Sequence, residues 1–190
     1  MFSQVIADKI DSIARSEIEK YGLPTMRHYK LSMDKGVEIA EKLHADVQLV
    51  RAGVALMDIK LGQAAKEGKQ PQHVSICKEY AEGILKELCV EEPYYSQLIN
   101  CVAAHHGAIP FESKESEIVA NADCYRFIHP RGVMSFHATV IKRGNDHNAA
   151  LKAVEGKLDE KHGIMSLNVV KEELEPYYKL FKLILNSACD

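Results

Sequence analysis

At 190 residues, with 46% hydrophobic and 27% charged side chains, the chain is long enough for one domain with a sizeable core. Its formal net charge of -3 supplies no broad field for drawing in nucleic acid or an anionic membrane surface. The scattered cysteines, Cys77, Cys89, Cys101, Cys124 and Cys189, form no C-x-x-C pair and suit thiols of a reducing compartment, so a cytoplasmic protein is expected.

Asp8 and Lys9 interrupt the start before any long apolar segment forms, unlike a secretory signal. The longest uncharged stretch, residues 93–111, carries Gln97, Asn100, His105, His106, Gly107 and Pro110, which is unlike a membrane span. Apolar spacing is helical almost throughout and no alternating run marks a strand, so an all-α fold is expected, as a single helical bundle with extra terminal helices.

The first helix is predicted over residues 2–20, with Val5, Ile6, Ile10, Ile13 and Ile18 buried and a stop at Gly22 and Pro24. Met33, Val37, Ala40 and His44 trace a second. Asp46 caps a third, whose inner face carries Val47, Val50, Val54, Met57, Asp58 and Leu61. Residues 62–70 read as a linker to Pro71, which opens a fourth helix with His73, Ile76, Cys77, Tyr80, Ile84 and Leu88 in line. Pro93 opens a fifth, along which Leu98, Ile99, Val102, His105 and His106 share a face up to Gly107. The sixth, residues 115–128, aligns Val119, Ala122, Asp123 and Arg126 and ends before Pro130. Two terminal helices follow at residues 145–162 and 166–185, the second kinked or split at Pro176.

Asp58, His73, His105, His106 and Asp123 each interrupt or flank one of these apolar stripes. A carboxylate in low dielectric needs a positive partner, and neutral imidazoles converging with carboxylates are the usual ligands of a divalent metal. Singly, each has a plainer explanation. Asp58 would pair with Arg51, Lys60 or Arg126, His73 would be a satisfied core histidine, and Asp123 would pair with Arg126. His105 and His106, in the last turn of their helix, would answer the helix dipole. One shared divalent ion accounts for all five at once.

Four segments then carry a resemblance. "VALMDIK", "QPQHVSICKEYAEGIL", "INCVAAHHG" and "IVANADCYRF", in that order, resemble the HD-domain superfamily of metal-dependent phosphohydrolases over about residues 31–128. The family pattern has a histidine on one helix, a His-Asp pair ending the next apolar run, further histidines, and a distant closing Asp. This chain departs from it twice, with Met33 at the first histidine and Met57 in place of the histidine of the pair. Thioether sulfur is too soft for magnesium, manganese or iron, so both methionines are expected to pack rather than coordinate.

The resemblance implies an HD-like core over about residues 31–128, with a helical extension at about 145–188. It further implies a metal centre of Asp58, His73, His105 and His106, with Asp123 as the closing carboxylate, holding a divalent ion drawn from Mn, Fe, Ni, Mg and Zn. Asp58 and Asp123 would serve the chemistry, Asp123 orienting or deprotonating a water, with Lys60 and Arg126 as cationic donors to the phosphate oxygens and Arg131 in reserve. His28, in the segment before Met33, is a candidate replacement ligand. The expected partner is a nucleotide or other small phosphorylated metabolite, with neither nucleic acid nor membrane. Two functions stay open: hydrolysis of a phosphate ester, or a degenerate domain that binds or regulates without chemistry. The terminal helices are left with two placements, over the site or between two copies of the chain.

Overall fold

The computed structural model describes residues 1–188, so Cys189 lies outside the described residues. Its secondary structure is entirely helical, as the apolar periodicity requires. In chain order the helices are α1 (Gln4–Tyr21), α2 (Met26–Lys42), α3 (Val47–Met57), α4 (Leu61–Lys66), α5 (His73–Glu87), α6 (Tyr94–Ala104), α7 (Lys114–Ile128), α8 (Pro130–Lys142), α9 (His147–Ile164) and α10 (Asn168–Ala188). A single 3-10 turn, Gln70–Gln72, precedes α5.

The bundle is organised around α7, which is buried on all its faces from Ile118 to Ile128 and against which α2, α3, α6, α8, α9 and α10 pack. Ser113 caps it in a capping box with Ser116. A helix with no solvent face must find internal partners for every polar residue it carries. Asn121 does so in full: Oδ1 accepts from the backbone N–H groups of Ser166 and Leu167, and Nδ2 donates to Glu117 O and Ser166 Oγ. Asp123 and Arg126, further along the same helix, must likewise be satisfied inside.

Small residues set how closely the neighbours approach α7. At Gly53 of α3, a Cβ would come within 2.8 Å of Val119 and 2.9 Å of the Cys101 sulfur, so α3 lies tight against both α6 and α7. At Gly132, a Cβ would sit 2.4 Å from the Arg126 carbonyl oxygen, so α8 folds back over the end of α7 only because this position has no side chain.

Several boundaries differ from the expectation. The third helix ends at Met57, and Asp58 is its C-cap with φ −125°, outside the helix proper. The stripe continued to Leu61 because a new helix starts there: residues 62–70, read as a linker, contain α4, whose Gly62 and Ala64 are buried. Pro130 does not merely follow the sixth helix. It is the first residue of α8, capped by His129, a helix absent from the expectation because proline's fixed φ suits a first turn as well as it ends a preceding one. Pro176 does not split the last helix; α10 runs through it, with Pro176 and Glu172 both exposed, so the carbonyl that loses its N–H partner faces water. Val5 is 65% exposed rather than buried, and His44 is exposed beyond the end of α2. Cys77, Cys101 and Cys124 are buried free thiols and Cys89 is an exposed one. No described helix is long and apolar enough to cross a membrane.

Candidate metal centre

The end of α3, the start of α5 and the end of α6 meet against the middle of α7, and α9 closes the group from the other side. Asp58 comes from the α3 cap, His73 is the first residue of α5, and His105 and His106 follow α6. Asp123 and Arg126 lie one turn apart on α7. Asp58 is 6% exposed, His105 0%, Asp123 1%, Arg126 3% and Lys161 0%, so each charge here must be met by another protein group or a ligand.

The carboxylates are met on one side by cations. Arg126 Nη1 lies 2.6 Å from Asp58 Oδ2 and 2.8 Å from Asp123 Oδ1, and Lys161 Nζ lies 2.7 Å from Asp123 Oδ2. Burial alone would raise the Asp58 carboxyl, but Arg126 and, after it, His105 hold it down to about 2. Asp123 is likewise held below the carboxylate range by Lys161 and Arg126 against the pull of burial. Burial would push Lys161 down, yet Asp123 keeps it protonated. Arg126 Nε remains buried without a partner.

On the other side are the imidazoles. His73 Nδ1 is 2.8 Å from the Gln70 carbonyl oxygen, His105 Nδ1 is 2.7 Å from the Val102 carbonyl oxygen, and His106 Nδ1 is 2.8 Å from Glu160 Oε1. A carbonyl or carboxylate only accepts, so in the neutral ring each Nδ1 carries the hydrogen and each Nε2 presents a bare lone pair. Lys161 Nζ also lies 3.2 Å from His106 Nδ1, but the Glu160 contact is the shorter, at 2.8 Å, and is taken to set the tautomer. Burial pushes the His105 imidazole down to about 4, which keeps it neutral.

The three Nε2 atoms turn toward one another. His73 Nε2 and His106 Nε2 are 3.2 Å apart, and with the hydrogens assigned to Nδ1 neither has one to donate. Asp58 Oδ1 faces the same point, 3.5 Å from His73 Nε2 and 3.7 Å from His105 Nε2. Asp58 Oδ1 and His105 Nε2 are buried without any hydrogen-bond partner. Acceptors alone cannot satisfy each other; they call for a positive centre. The ligand-capable atoms of His73, His105 and His106 all lie within 4.8 Å of one another, and each ring is held from behind by a carbonyl or carboxylate, the support that orients metal-binding histidines. The donor set fits one divalent ion.

The expected residues are not all used alike. Asp58, His73, His105 and His106 converge, whereas Asp123 joins them only through Arg126, both its oxygens being engaged by side-chain cations. Lys60 turns away: its Nζ pairs with Glu17 at 2.8 Å and lies over the Tyr80 ring. Arg131 lines a separate surface groove with Arg27 and Lys30. His28 Nε2 lies 3.0 Å from the Gly132 carbonyl oxygen, beside Phe127 and Phe136, so it is already engaged. Met57 is buried next to Asp58, and Met33 is buried in the core.

The sequence reading missed Lys161 and Glu160. Lys161 continues the buried α9 stripe Leu151, Val154, Leu158 at helical spacing, the same signal that singled out Asp58. Also missed were Arg143 and Lys157, which with His73, His106, Asp58 and Phe127 line a cavity of about 120 Å³ beside the cluster. Arg143 donates to Gln70 Oε1 at 3.1 Å, and Lys157 pairs with Glu160 at 2.6 Å.

No protein-family model and no curated protein matches the chain. Among solved structures, that of a predicted HD superfamily hydrolase from an uncultured Thermotogales bacterium aligns with a TM-score of 0.66 at 19% identity, over 95% of this chain and 89% of its own. Bacillus subtilis YpgQ aligns with a TM-score of 0.65 at 17% identity, over 98% of this chain and 96% of its own. The likeness is one of fold. The all-helical bundle anticipated from apolar spacing is thus shared, almost end to end, with a protein described as a predicted HD superfamily hydrolase.

Proposed function

We propose that the chain is a metal-dependent phosphohydrolase acting on a small phosphorylated substrate. One observation carries the reading: three imidazole nitrogens, each on a ring whose other nitrogen is turned to a carbonyl or carboxylate, lie within 4.8 Å of one another beside the unpartnered Asp58 Oδ1, at the edge of a cavity of about 120 Å³. Three nitrogens to one oxygen favour iron, nickel or zinc over magnesium, which prefers oxygen ligands. When bound, such an ion supplies Lewis-acid stabilisation of a phosphoryl oxygen and makes water more acidic.

The chain's own groups supply the rest. Arg143 and Lys157 bring positive charge to the cavity for the remaining phosphate oxygens, while Phe127 gives it an apolar wall. Because Asp58 and Asp123 are held ionised, they act as acceptors rather than as stores of a proton. Both oxygens of Asp123 are engaged by Arg126 and Lys161, which takes it out of orienting a water. Glu160 holds the His106 ring by its Nδ1 hydrogen.

The test is elemental analysis of protein purified without chelator, followed by assay on a panel of phosphate esters. One equivalent of a transition metal and turnover that both vanish in His105→Ala/His106→Ala support the reading; turnover that survives the double change removes the cluster from the mechanism. A module without chemistry is favoured by the engagement of Asp123, which takes one carboxylate out of the reaction, and it predicts a bound ion with no turnover on any ester.

A further inference from the structure

We propose that Arg126 and Lys161 stand, as fixed side-chain cations, where a second ion between Asp58 and Asp123 would otherwise be needed, so that the centre takes one divalent ion and no more. The inference rests on the reading of the imidazole cluster as an ion site.

Two observations carry it. The first is the count of oxygens: of the four on the two carboxylates, three are within 2.8 Å of a side-chain cation, and the fourth, Asp58 Oδ1, faces the histidines. Two negative and two positive charges cancel, so the pair of carboxylates offers no net attraction to another cation. The second is position. A single nitrogen, Arg126 Nη1, bridges the two carboxylates at 2.6 Å from Asp58 Oδ2 and 2.8 Å from Asp123 Oδ1, so the point between them where an ion would sit is already taken by a cation.

Arg126 is therefore a positioning residue. By holding Oδ2 it fixes Asp58 with Oδ1 toward the imidazoles, and a guanidinium does not lose its proton at any working pH. Lys161 completes the neutralisation from a helix that the sequence reading set apart as an extension.

The experiment titrates the full, metal-free chain with Mn2+, following heat by calorimetry and the free ion by electron paramagnetic resonance. The wild type should bind one ion per chain. His73→Ala/His106→Ala should bind none, because the carboxylates are closed by their cations. Adding Arg126→Met and Lys161→Met to that background should restore one ion, now between Asp58 and Asp123, together with a rise in melting temperature on Mn2+ that the parent double variant does not show. Where the quadruple variant does not fold, Lys161→Met alone in the histidine-less background should still show the Mn2+-dependent rise, and Lys161→Arg should abolish it. Two ions in the wild type, or one in His73→Ala/His106→Ala with both cations intact, overturns the proposal. A wild type that binds no ion overturns the reading of the imidazole cluster instead, and an ion gained only after removal of the cations then still upholds the exchange of cation for ion.

Discussion

Asp58 stands between two regions that meet the cost of buried polar groups in opposite ways. On its Oδ2 side, Arg126 and Lys161 close two carboxylates within 2.6–2.8 Å, and every charge there has its counter-charge within the chain. On its Oδ1 side, three imidazoles are braced from behind yet face each other with lone pairs only. Both regions share Asp58 and both reach into the interior, so burial alone does not separate them. What separates them is whether positive and negative groups balance. The balanced side is a structural element that tolerates no loss of a partner; the unbalanced side is built to receive one.

Removing ligands from the unbalanced side should have the largest effect. His105→Ala/His106→Ala should weaken divalent-ion binding at least about 100-fold, taking the cost of disturbing a supporting group as a lower bound, measured as ion content after gel filtration. Next in size is a break on the balanced side: Lys161→Met leaves two buried carboxylates to share the one cation of Arg126 and should cost about 3–5 kcal/mol in denaturant unfolding. A variant as stable as the wild type would show that the network is not what holds α9 to α7.

Acid comes third. His28, lowered to about 4 by burial and then by Arg126, and His105, lowered to about 4 by burial, are neutral in the folded protein, while in the unfolded chain they take up protons near 6.5. The unfolded state therefore binds more protons between about pH 6.5 and 4, and the stability of the metal-free protein falls as the solution is acidified through that window. The loss should reach a few kcal/mol, because each ring costs on the order of 1.4 kcal/mol for every pH unit that separates its protonation in the folded and unfolded chain. A melting temperature flat from pH 7 to 4 would contradict the placement of both rings. Smaller again, Glu160→Gln replaces the carboxylate behind His106 and should weaken ion binding about 10- to 100-fold by calorimetry without removing it. Smallest of all, Lys60→Ala removes the pair with Glu17 and the contact with the Tyr80 ring, both away from the cluster, so stability should fall by about 1–2 kcal/mol and ion content should not change.

The centre was legible where a polar residue breaks an apolar stripe. Asp58, His73, His105 and His106 were found in that way, and the structure brings them to one point. Lys161 carries the same mark but sits on a helix whose stripe was not followed, so the partner of Asp123 was assigned to Arg126 alone. Lys60 was chosen for its nearness in sequence to Asp58, but the chain turns at the end of α3, and two residues past a helix cap the side chain points toward α1. Arg143 and Lys157 gave no signal, because exposed cations on amphipathic helices are ordinary until packing shows what they overlook. Helix existence followed from period, which is local. The joints at Leu61 and Pro130 did not, because they depend on what the next helix must pack against, as Gly132 against the Arg126 carbonyl illustrates.

The placement of Lys161 also bears on how the chain acquires its structure during synthesis. As the polypeptide leaves the ribosome, α3 and α7 emerge well before α9, so a nascent chain that has already collapsed around α7 holds Asp123 without its ammonium partner. The helices ahead of α9 then hold two buried carboxylates against the single cation of Arg126, and the final packing must wait for the C-terminal part of the protein to appear. Any fragment truncated ahead of α9 should therefore be a loose, protease-sensitive globule rather than a smaller version of the native bundle.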